Sequence, residues 1–107
     1  MKTHEEKIAV VTGAASGFGK EVSIGLANDV APFGITVNAI SPTLSQTKGA
    51  DEQLAHIIPY DAVAQLQAIK EVGQAKDIVP TILFLTSEDA RFITGQNYAV
   101  DGGLARY

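Results

Sequence analysis

The sequence predicts an α/β fold in which about three parallel strands, residues 7–12, 35–40 and 97–100, are flanked by helices in three layers. Residues 7–11 form a β-branched apolar run, which is typical of a strand covered on both faces of a parallel sheet. Residues 35–40 alternate apolar and polar side chains, as strands do. Helical segments separate the strands in the order β-α-β-α-α-β, which implies parallel pairing. A chain of 107 residues is expected to form a single domain.

The stretch Thr12–Gly19 joins the first strand to the first helix through a glycine-rich turn. Gly13 permits a tight turn, Gly17 lets the backbone approach an anion, and Gly19 lets the helix sit close to the strand. The first N–H groups of the helix have no partner inside it, and its dipole is positive at that end. A phosphate would accept hydrogen bonds from these N–H groups and supply the negative charge that the dipole favours, with Ser16 as an additional hydroxyl donor. The pattern therefore indicates a pyrophosphate site; a plain strand-to-helix connection is the alternative.

The segment after the turn has an apolar residue at every fourth position, which predicts an amphipathic helix with one buried stripe formed by Phe18, Val22, Leu26 and Val30. Gly25 lies beside this stripe, where it would permit close packing. Pro32 and Gly34 are expected to end the helix.

The middle of the chain gives weaker signals. Residues 43–58 have little periodicity and are predicted to form a mobile loop or lid. A helix is expected over 61–72 and closes at Gly73. A stronger helix is predicted over 76–87, with Pro80 within about its first turn, because a proline farther inside would remove a hydrogen bond.

The helix over 76–87 carries apolar side chains on two sides, which are Ile78, Ile82 and Leu85 on one, and Val79 and Leu83 on the other with Phe84 between them. One side would cover the sheet, and the second side needs another partner. This favours a homo-oligomer whose subunits meet through this helix and the strand 97–100. A helix buried wholly within its own domain is the alternative.

Composition excludes several classes of protein. The absence of cysteine excludes disulfides and thiolate metal sites and is typical of a cytoplasmic protein. The net charge of −4 argues against nucleic acid as a partner, because nucleic-acid binding needs clustered Lys and Arg. His4 and His56 have no metal-ligand spacing around them, so no metal is expected. No apolar run reaches the roughly 18 residues of a membrane span, and the polar residues 1–6 do not form a signal peptide.

Two blocks of the chain together resemble one enzyme family. Val11–Gly19, within residues 7–27, is similar to the cofactor turn of the short-chain dehydrogenase/reductase family, with Phe18 in place of the usual isoleucine. The second block, residues 28–107, resembles the carboxyl-terminal part of that family in the stretches Asn28–Pro42, Phe92–Gln96 and Val100–Gly103. The resemblance implies a reduced Rossmann-like fold, NAD or NADP as the cofactor, and, in the intact form, oxidoreductase chemistry on a ketone or secondary alcohol.

The resemblance also implies which residues would face the cofactor. Those facing the pyrophosphate would be Gly13, Ser16, Gly17, Phe18 and Gly19. Those approaching the nicotinamide and its phosphate would be Pro42, Thr43 and Thr47. Thr43 stands where the family more often has glycine. For Pro42 and Thr43, a turn that merely ends the strand is the alternative.

The two blocks meet near Leu26-Ala27-Asn28, whereas the family usually runs to roughly 250 residues, so the resemblance implies an internal deletion. In the family, two strands lie between the first strand and the strand before Pro42. Their loss predicts that these two strands pair directly, and that one hybrid helix replaces two parental helices.

The deletion would also remove the family's catalytic serine and its Tyr-x-x-x-Lys pair. Tyr60 is followed four residues later by Ala64, Tyr98 is followed by Gly102, and Tyr107 is the last residue. In the family the tyrosine is the acid or base toward the substrate oxygen, and the lysine lowers the tyrosine's pKa. No catalytic residue is therefore assigned.

Three hypotheses remain open. In the first, the chain is a catalytically inactive member of an oxidoreductase family that retains weak nucleotide binding. In the second, it is a non-enzymatic, self-associating interaction module. In the third, it represents a full enzyme whose middle is missing from the sequence.

Overall fold

The computed structural model of the chain describes residues 8–12, 18–43, 45–46 and 59–105. The elements, in chain order, are β1 (Ile8–Thr12), α1 (Phe18–Val30), β2 (Thr36–Pro42), β3 (Ser45–Gln46), α2 (Tyr60–Leu66), β4 (Gly73–Gln74), α3 (Ala75–Leu85) and β5 (Asn97–Val100), with short 3-10 helices at Ala31–Phe33 and Glu88–Ala90. Within these residues, no helix is long and apolar enough to cross a membrane.

Strands β1, β2 and β5 form a parallel sheet with β2 in the middle. β1 pairs with β2 over five residues, ending with Thr12 opposite Ile40. β5 pairs with the other edge of β2, ending with Val100 opposite Pro42. The predicted three-stranded parallel sheet is confirmed, as is the direct pairing of its first two strands; β2 runs two residues farther than expected.

The core of the domain lies around β2. Val37, Ala39 and Ile40 are 0–1% exposed, because both edges of the strand are paired and α1 packs mainly against it. Leu85 of α3 is equally buried at 1%. The interior is therefore small and is built from one central strand and the helices that contact the sheet.

A buried polar residue, Asn38, ties β2 to the turn at 92–96. The Asn38 Nδ2 atom donates to the Ile93 carbonyl at 3.1 Å, and the Asn38 Oδ1 atom accepts from the Gln96 N–H at 3.1 Å. The side chain is 1% exposed, so these partners replace water that it gave up on folding. The sequence Phe92–Gln96 thus has a structural task, which is to dock the start of β5 on the middle strand.

Small residues, rather than the predicted apolar stripe, form the buried face of α1. Gly19 and Ser23 are buried and Ala27 is 5% exposed, whereas Val22 and Leu26 are 36% and 41% exposed. The prediction for Val22 and Leu26 is therefore wrong. Both sets recur every four residues, and the small set lets the helix approach the sheet closely. The Ser23 hydroxyl donates to the Gly19 carbonyl at 2.9 Å, so it needs no partner in the sheet.

The end of α1 is confirmed, but the role expected for Gly25 is wrong. Gly25 is exposed, and a Cβ atom there would have no neighbour within 4 Å, so it does not permit close packing. A 3-10 turn containing Pro32 follows the helix, and Gly34 then adopts a φ of 75° with its N–H donating to the Ala31 carbonyl at 3.0 Å. Gly34 is thus in the left-handed conformation, which glycine adopts readily and which commonly ends a helix.

The second helix is much shorter than predicted. α2 ends at Leu66 instead of continuing to residue 72, and Gly73 begins β4 instead of closing a helix. The chain turns at Gln67, whose backbone is extended with a ψ of 161°. The buried Gln67 side chain then bonds to carbonyl groups farther along the chain, and these bonds replace the helical ones.

Helix α3 begins one residue earlier and ends two residues earlier than predicted. The Gln74 N–H donates to the Asp77 carboxylate at 2.9 Å, as half of a capping box that fixes the start of the helix. Pro80 consequently lies in the second turn instead of near the first. After the helix, the Thr86 hydroxyl donates to the Ile82 carbonyl at 2.8 Å.

The short parallel pair β3–β4 was not predicted, because two-residue strands have no periodicity to detect. Its first strand, Ser45–Gln46, falls inside the segment 43–58 that was expected to be a mobile loop or lid. Residues 44 and 47–58 of that segment lie outside the described residues, so this expectation stays a prediction.

We predict that Asn38→Leu lowers the free energy of unfolding by about 2 kcal/mol, because the Ile93 carbonyl and the Gln96 N–H lose a partner that no apolar group replaces. Asn28→Leu, at an exposed position of α1, is the matched control and should change it by less than about 0.5 kcal/mol. Urea unfolding measures both; equal effects would contradict the role given to Asn38.

Candidate functional site

The carboxyl ends of the three strands meet at one edge of the sheet, and the predicted site residues that the structure describes lie there. Thr12 ends β1 opposite Ile40, and Pro42 ends β2 opposite Val100. The chain leaves β1 at this edge and returns as α1, whose second residue is Gly19. In open parallel sheets, ligands bind in the crevice outside these strand ends.

Several predicted cofactor-facing residues cannot be placed at this edge. Gly13, Ser16, Gly17 and Thr47 lie outside the described residues, so their roles stay predictions. Phe18 is the first residue of α1. Gly19 is the second residue of α1 and is buried, and its role toward a cofactor stays a prediction.

The amino terminus of α1 has the properties that an anion needs. The helix is 13 residues long, so its first N–H groups have no partner within the helix and its dipole points positive at this end. Lys20 and Glu21 in the first turn are both exposed, and their charges offset each other. The described residues therefore fit a phosphate group here through backbone and dipole rather than through a cluster of cations.

Thr43 and Pro42 differ in what they can offer a ligand. Pro42 is exposed and has no N–H. Thr43 is 9% exposed, its hydroxyl donates to the Gln67 Oε1 atom at 2.6 Å, and its N–H reaches the Val100 carbonyl at 3.4 Å. The Thr43 donors are thus occupied inside the protein, which gives this residue a structural task whether or not it also borders a cofactor.

Gln67 joins three segments at this edge, and sequence analysis missed it. It accepts from Thr43, and its Nε2 atom donates to the Ile69 and Glu71 carbonyls, each at 2.9 Å. The Ile69 N–H in turn donates to the Gly102 carbonyl at 2.8 Å. Residue 67 falls within a segment predicted as helix, and nothing in the sequence distinguishes this buried glutamine from an exposed one.

The turn Asp101–Gly103, which follows β5, packs directly on this cluster. Asp101 is 7% exposed, and its carboxylate accepts from the Gly103 N–H at 3.0 Å and the Ala105 N–H at 2.9 Å. Gly103 has a φ of 83°, and a Cβ atom there would lie 2.7 Å from the Ala68 Cβ atom. The glycine is required both by its backbone conformation and by the close approach of residue 68.

A cavity of about 220 Å³ opens beside the Thr43–Gln67 pair. Among the described residues, its lining includes the carboxylates Glu71 and Asp77 and apolar groups such as Ile78, and no lysine or arginine. Two carboxylates disfavour an anion in this cavity. A phosphate therefore fits the amino terminus of α1 better than it fits the cavity.

The described residues contain neither a metal cluster nor the family's tyrosine–lysine arrangement. No group of three or more His, Cys, Asp or Glu side chains that could hold a metal ion occurs in 8–12, 18–43, 45–46 and 59–105. Tyr60 begins α2 and Tyr98 lies in β5, and neither is followed by lysine at the fourth position.

Comparison with known proteins gives a consistent match. A family model described as enoyl-(acyl carrier protein) reductase matches residues 9–105. The 3-oxoacyl-[acyl-carrier-protein] reductase of Haemophilus influenzae is 40% identical over 92 residues, which cover 82% of this chain and 34% of the relative. Glucose 1-dehydrogenase of Gluconobacter oxydans is 38% identical over 82 residues, covering 77% and 31%. The chain spans about a third of the length of these curated relatives.

Solved structures are also similar to this chain. Angucycline C-6 ketoreductase LanV with bound NADP matches with a TM-score of 0.72 and 27% identity, covering 91% of this chain and 42% of that one. A 4-hydroxyisoleucine dehydrogenase mutant complexed with NADH and succinate matches with a TM-score of 0.80 and 26% identity, covering 95% and 48%. The sheet and helices described above therefore have the arrangement of part of a larger fold.

We predict that Gly103→Ala lowers the free energy of unfolding by about 3 kcal/mol, because alanine is strained at positive φ and its Cβ atom would overlap Ala68. The same substitution at Gly25, which is exposed within α1 with open space around it, should raise stability by about 1 kcal/mol. Urea unfolding of both variants tests the pair; effects of the same sign would contradict the packing described here.

Proposed function

The chain belongs to the short-chain dehydrogenase/reductase family, and we propose that it binds the phosphate groups of NAD or NADP without transferring a hydride at an enzymatic rate. The observation that carries this proposal is the succession of β1 and α1: β1 ends with Thr12 at the carboxyl edge of the sheet, and α1 begins with Phe18, directly after the glycine-rich stretch of the sequence. Related structures have NADP or NADH bound, which supports the same ligand class.

The phosphate assignment rests on the contrast between two parts of the same edge. The amino terminus of α1 offers unpaired backbone N–H groups and a favourable dipole. The neighbouring cavity is lined by Glu71 and Asp77 and repels an anion. The cofactor's phosphates would therefore lie against α1. The bound nucleotide supplies the hydride-carrying ring, and the chain's own residues would only hold and orient it.

The absence of turnover is proposed from the sequence. Neither Tyr60 nor Tyr98 is followed by lysine at the fourth position. Without that pair, no positioned acid or base would protonate or deprotonate the substrate oxygen, and the loss of general acid–base catalysis alone costs about 10²–10⁴-fold in rate. In the intact family form, the proposed reaction interconverts a ketone and a secondary alcohol.

Two features of the fold support an internal deletion as the origin of this chain. β1 and β2 pair along all five residues of β1, which leaves no space for a strand between them. α1 is continuous through Leu26-Ala27-Asn28, where the two sequence blocks meet. Ala27 shares its buried face with Gly19 and Ser23, so the helix keeps one phase across the proposed junction.

We predict measurable binding of NADH or NADPH to the purified chain, displaced by inorganic pyrophosphate, with no turnover of ketones or alcohols above background. Fluorescence titration and an activity assay on the same sample, with its mass verified as 11.2 kDa, test this. Gly17→Asp should weaken binding at least about tenfold by placing a carboxylate near the phosphates.

Gly25→Asp is the matched control, because it adds the same charge at an exposed position of α1 and should leave affinity unchanged. Genuine turnover at the verified mass would refute the inactive assignment. Binding that is insensitive to Gly17→Asp and to pyrophosphate would refute the phosphate site.

A second candidate function is a self-associating module, which we propose from the outer side of α3. Val79, Leu83 and Phe84 are 46%, 54% and 48% exposed, whereas Leu85 on the opposite side is 1% exposed. The helix thus has a second apolar side that its own domain leaves exposed. A homo-oligomer formed through α3 and the neighbouring edge strand β5 would bury it.

We expect Leu83→Lys to lower the average mass measured by light scattering at a given concentration, because it places a charge within the proposed interface. Leu66→Lys on α2, where the leucine is 66% exposed, is the matched control and should leave the mass unchanged. A mass of 11.2 kDa for the unmodified chain at all concentrations would eliminate this candidate.

A further inference from the structure

The side of β1 that faces away from β2 is an open sheet edge, as far as the described residues extend. Such an edge presents a row of backbone N–H and C=O groups that can template another strand. These groups are strong donors and acceptors, and pairing with a strand satisfies them in a regular array. The edge is therefore a binding surface for an extended segment.

The five residues of β1 carry none of the residue types that usually protect an edge strand. Its five residues, Ile8–Thr12, include no charged residue, proline or glycine. Ile8, Ala9 and Val10 are only half-buried. Val37, which is opposite Ala9 in the register, is 1% exposed. β1 thus has the composition of an interior strand in the position of an edge strand.

We propose that this edge pairs with β1 of a second copy of the chain, antiparallel across a two-fold axis, to form a six-stranded sheet. A two-fold axis perpendicular to the sheet makes two copies of one strand antiparallel and sets one residue opposite itself. All five residues are paired only when that residue is Val10. Ile8 then lies opposite Thr12 of the second copy, and Ala9 lies opposite its Val11.

Charge and size favour a second copy as the occupant. Each chain has a net charge of −4, but β1 is uncharged, so the two strands meet without setting like charges opposite each other. On either side of the pair formed by Val10 and its own copy, each cross-strand pair joins a larger residue with a smaller one: Ile8 with Thr12, and Val11 with Ala9. A sheet of six strands has a common size, since the commonest sheets have about four to six strands, whereas the three strands of one chain are fewer than that.

The same symmetry places both copies of α1 on the same face of the six-stranded sheet, because the two-fold axis is perpendicular to it. Val22 and Leu26 of α1 are 36% and 41% exposed in the single chain, so the helix carries apolar surface on that face. The free edge of β1 lies at the opposite side of the sheet from β5. The interface proposed here is therefore separate from the one proposed through α3 and β5, and it does not require a bound nucleotide.

Disulfide trapping tests the proposal, because the chain has no cysteine of its own. In an antiparallel pair, opposed Cα atoms lie about 4.5–5.5 Å apart, within the range that a disulfide spans. Val10→Cys should therefore form a covalent dimer under mild oxidation in high yield at micromolar concentration. Arg91→Cys, exposed in the turn before β5, gives the collision background, and Tyr98→Cys reports the opposite edge.

Hydrogen exchange on the unmodified chain provides a second readout that needs no variant. Protection of the β1 amides should increase with protein concentration if the edge is paired between copies. Cross-linking of the Val10→Cys variant well above the Arg91→Cys background, together with concentration-dependent protection, supports the proposal. A monomer by light scattering, or a dimer in which the Val10→Cys variant cross-links no better than the background, overturns it, as does β1 protection that does not depend on concentration.

Discussion

Pairing on both edges of β2 is the constraint on which the rest of the structure depends. This strand pairs with β1 on one side and β5 on the other, and its side chains from Val37 to Ile40 are 0–1% exposed. The helices, the turn at 92–96 and the cluster around Gln67 all reach the core through residues of β2 or its immediate neighbours. A domain this small cannot supply a second core, so disruption of β2 would leave the other elements with nothing to pack against.

The contact between α1 and the sheet shows how little bulk is needed to position a helix. Gly19, Ser23 and Ala27 present almost no side chain, so the backbone of the helix approaches β2 directly. The hydroxyl of Ser23 folds back onto its own helix, which keeps the contact free of polar groups in need of a partner. Val22, Ile24 and Leu26 of the same helix remain at the surface, which is unusual for a helix in a complete domain.

Patterns with a strong physical cause could be predicted from the sequence. A β-branched run identified β1, and alternating apolar and polar residues identified β2, each to within two residues. Pro32 with Gly34 identified the end of α1. Patterns that two arrangements satisfy equally could not be resolved. In α1, small residues (Gly19, Ser23 and Ala27) and large apolar residues (Val22 and Leu26) both recur every four positions. Only the close packing of the helix on the sheet determines which set is buried. The early end of α2 depends on a side chain at residue 67 that bonds to carbonyl groups brought close by the fold itself.

The candidate site follows the same division. The strand and the helix on either side of the glycine-rich stretch were evident from the sequence, and α1 begins directly after that stretch. Residues 13–17 lie outside the described residues, so the turn itself stays a prediction. The cluster of Thr43, Gln67 and Gly102 was not evident, because it joins residues that are distant in sequence through hydrogen bonds rather than through periodic burial. Resemblance to a larger family gave Thr43 a cofactor-facing role, whereas the structure gives its hydroxyl an internal partner.

Because β2 is paired on both edges, β1 and β5 are the two outer strands of the sheet, and this affects how copies of the chain would assemble. Were both outer strands to pair like with like, each chain would bind two neighbours through two different two-fold axes. Axes that intersect close the assembly at a defined size, whereas parallel axes leave it open, so that it lengthens into a fibre. Each added chain also contributes a charge of −4, so mutual repulsion would oppose elongation, and added salt would relieve that repulsion by screening.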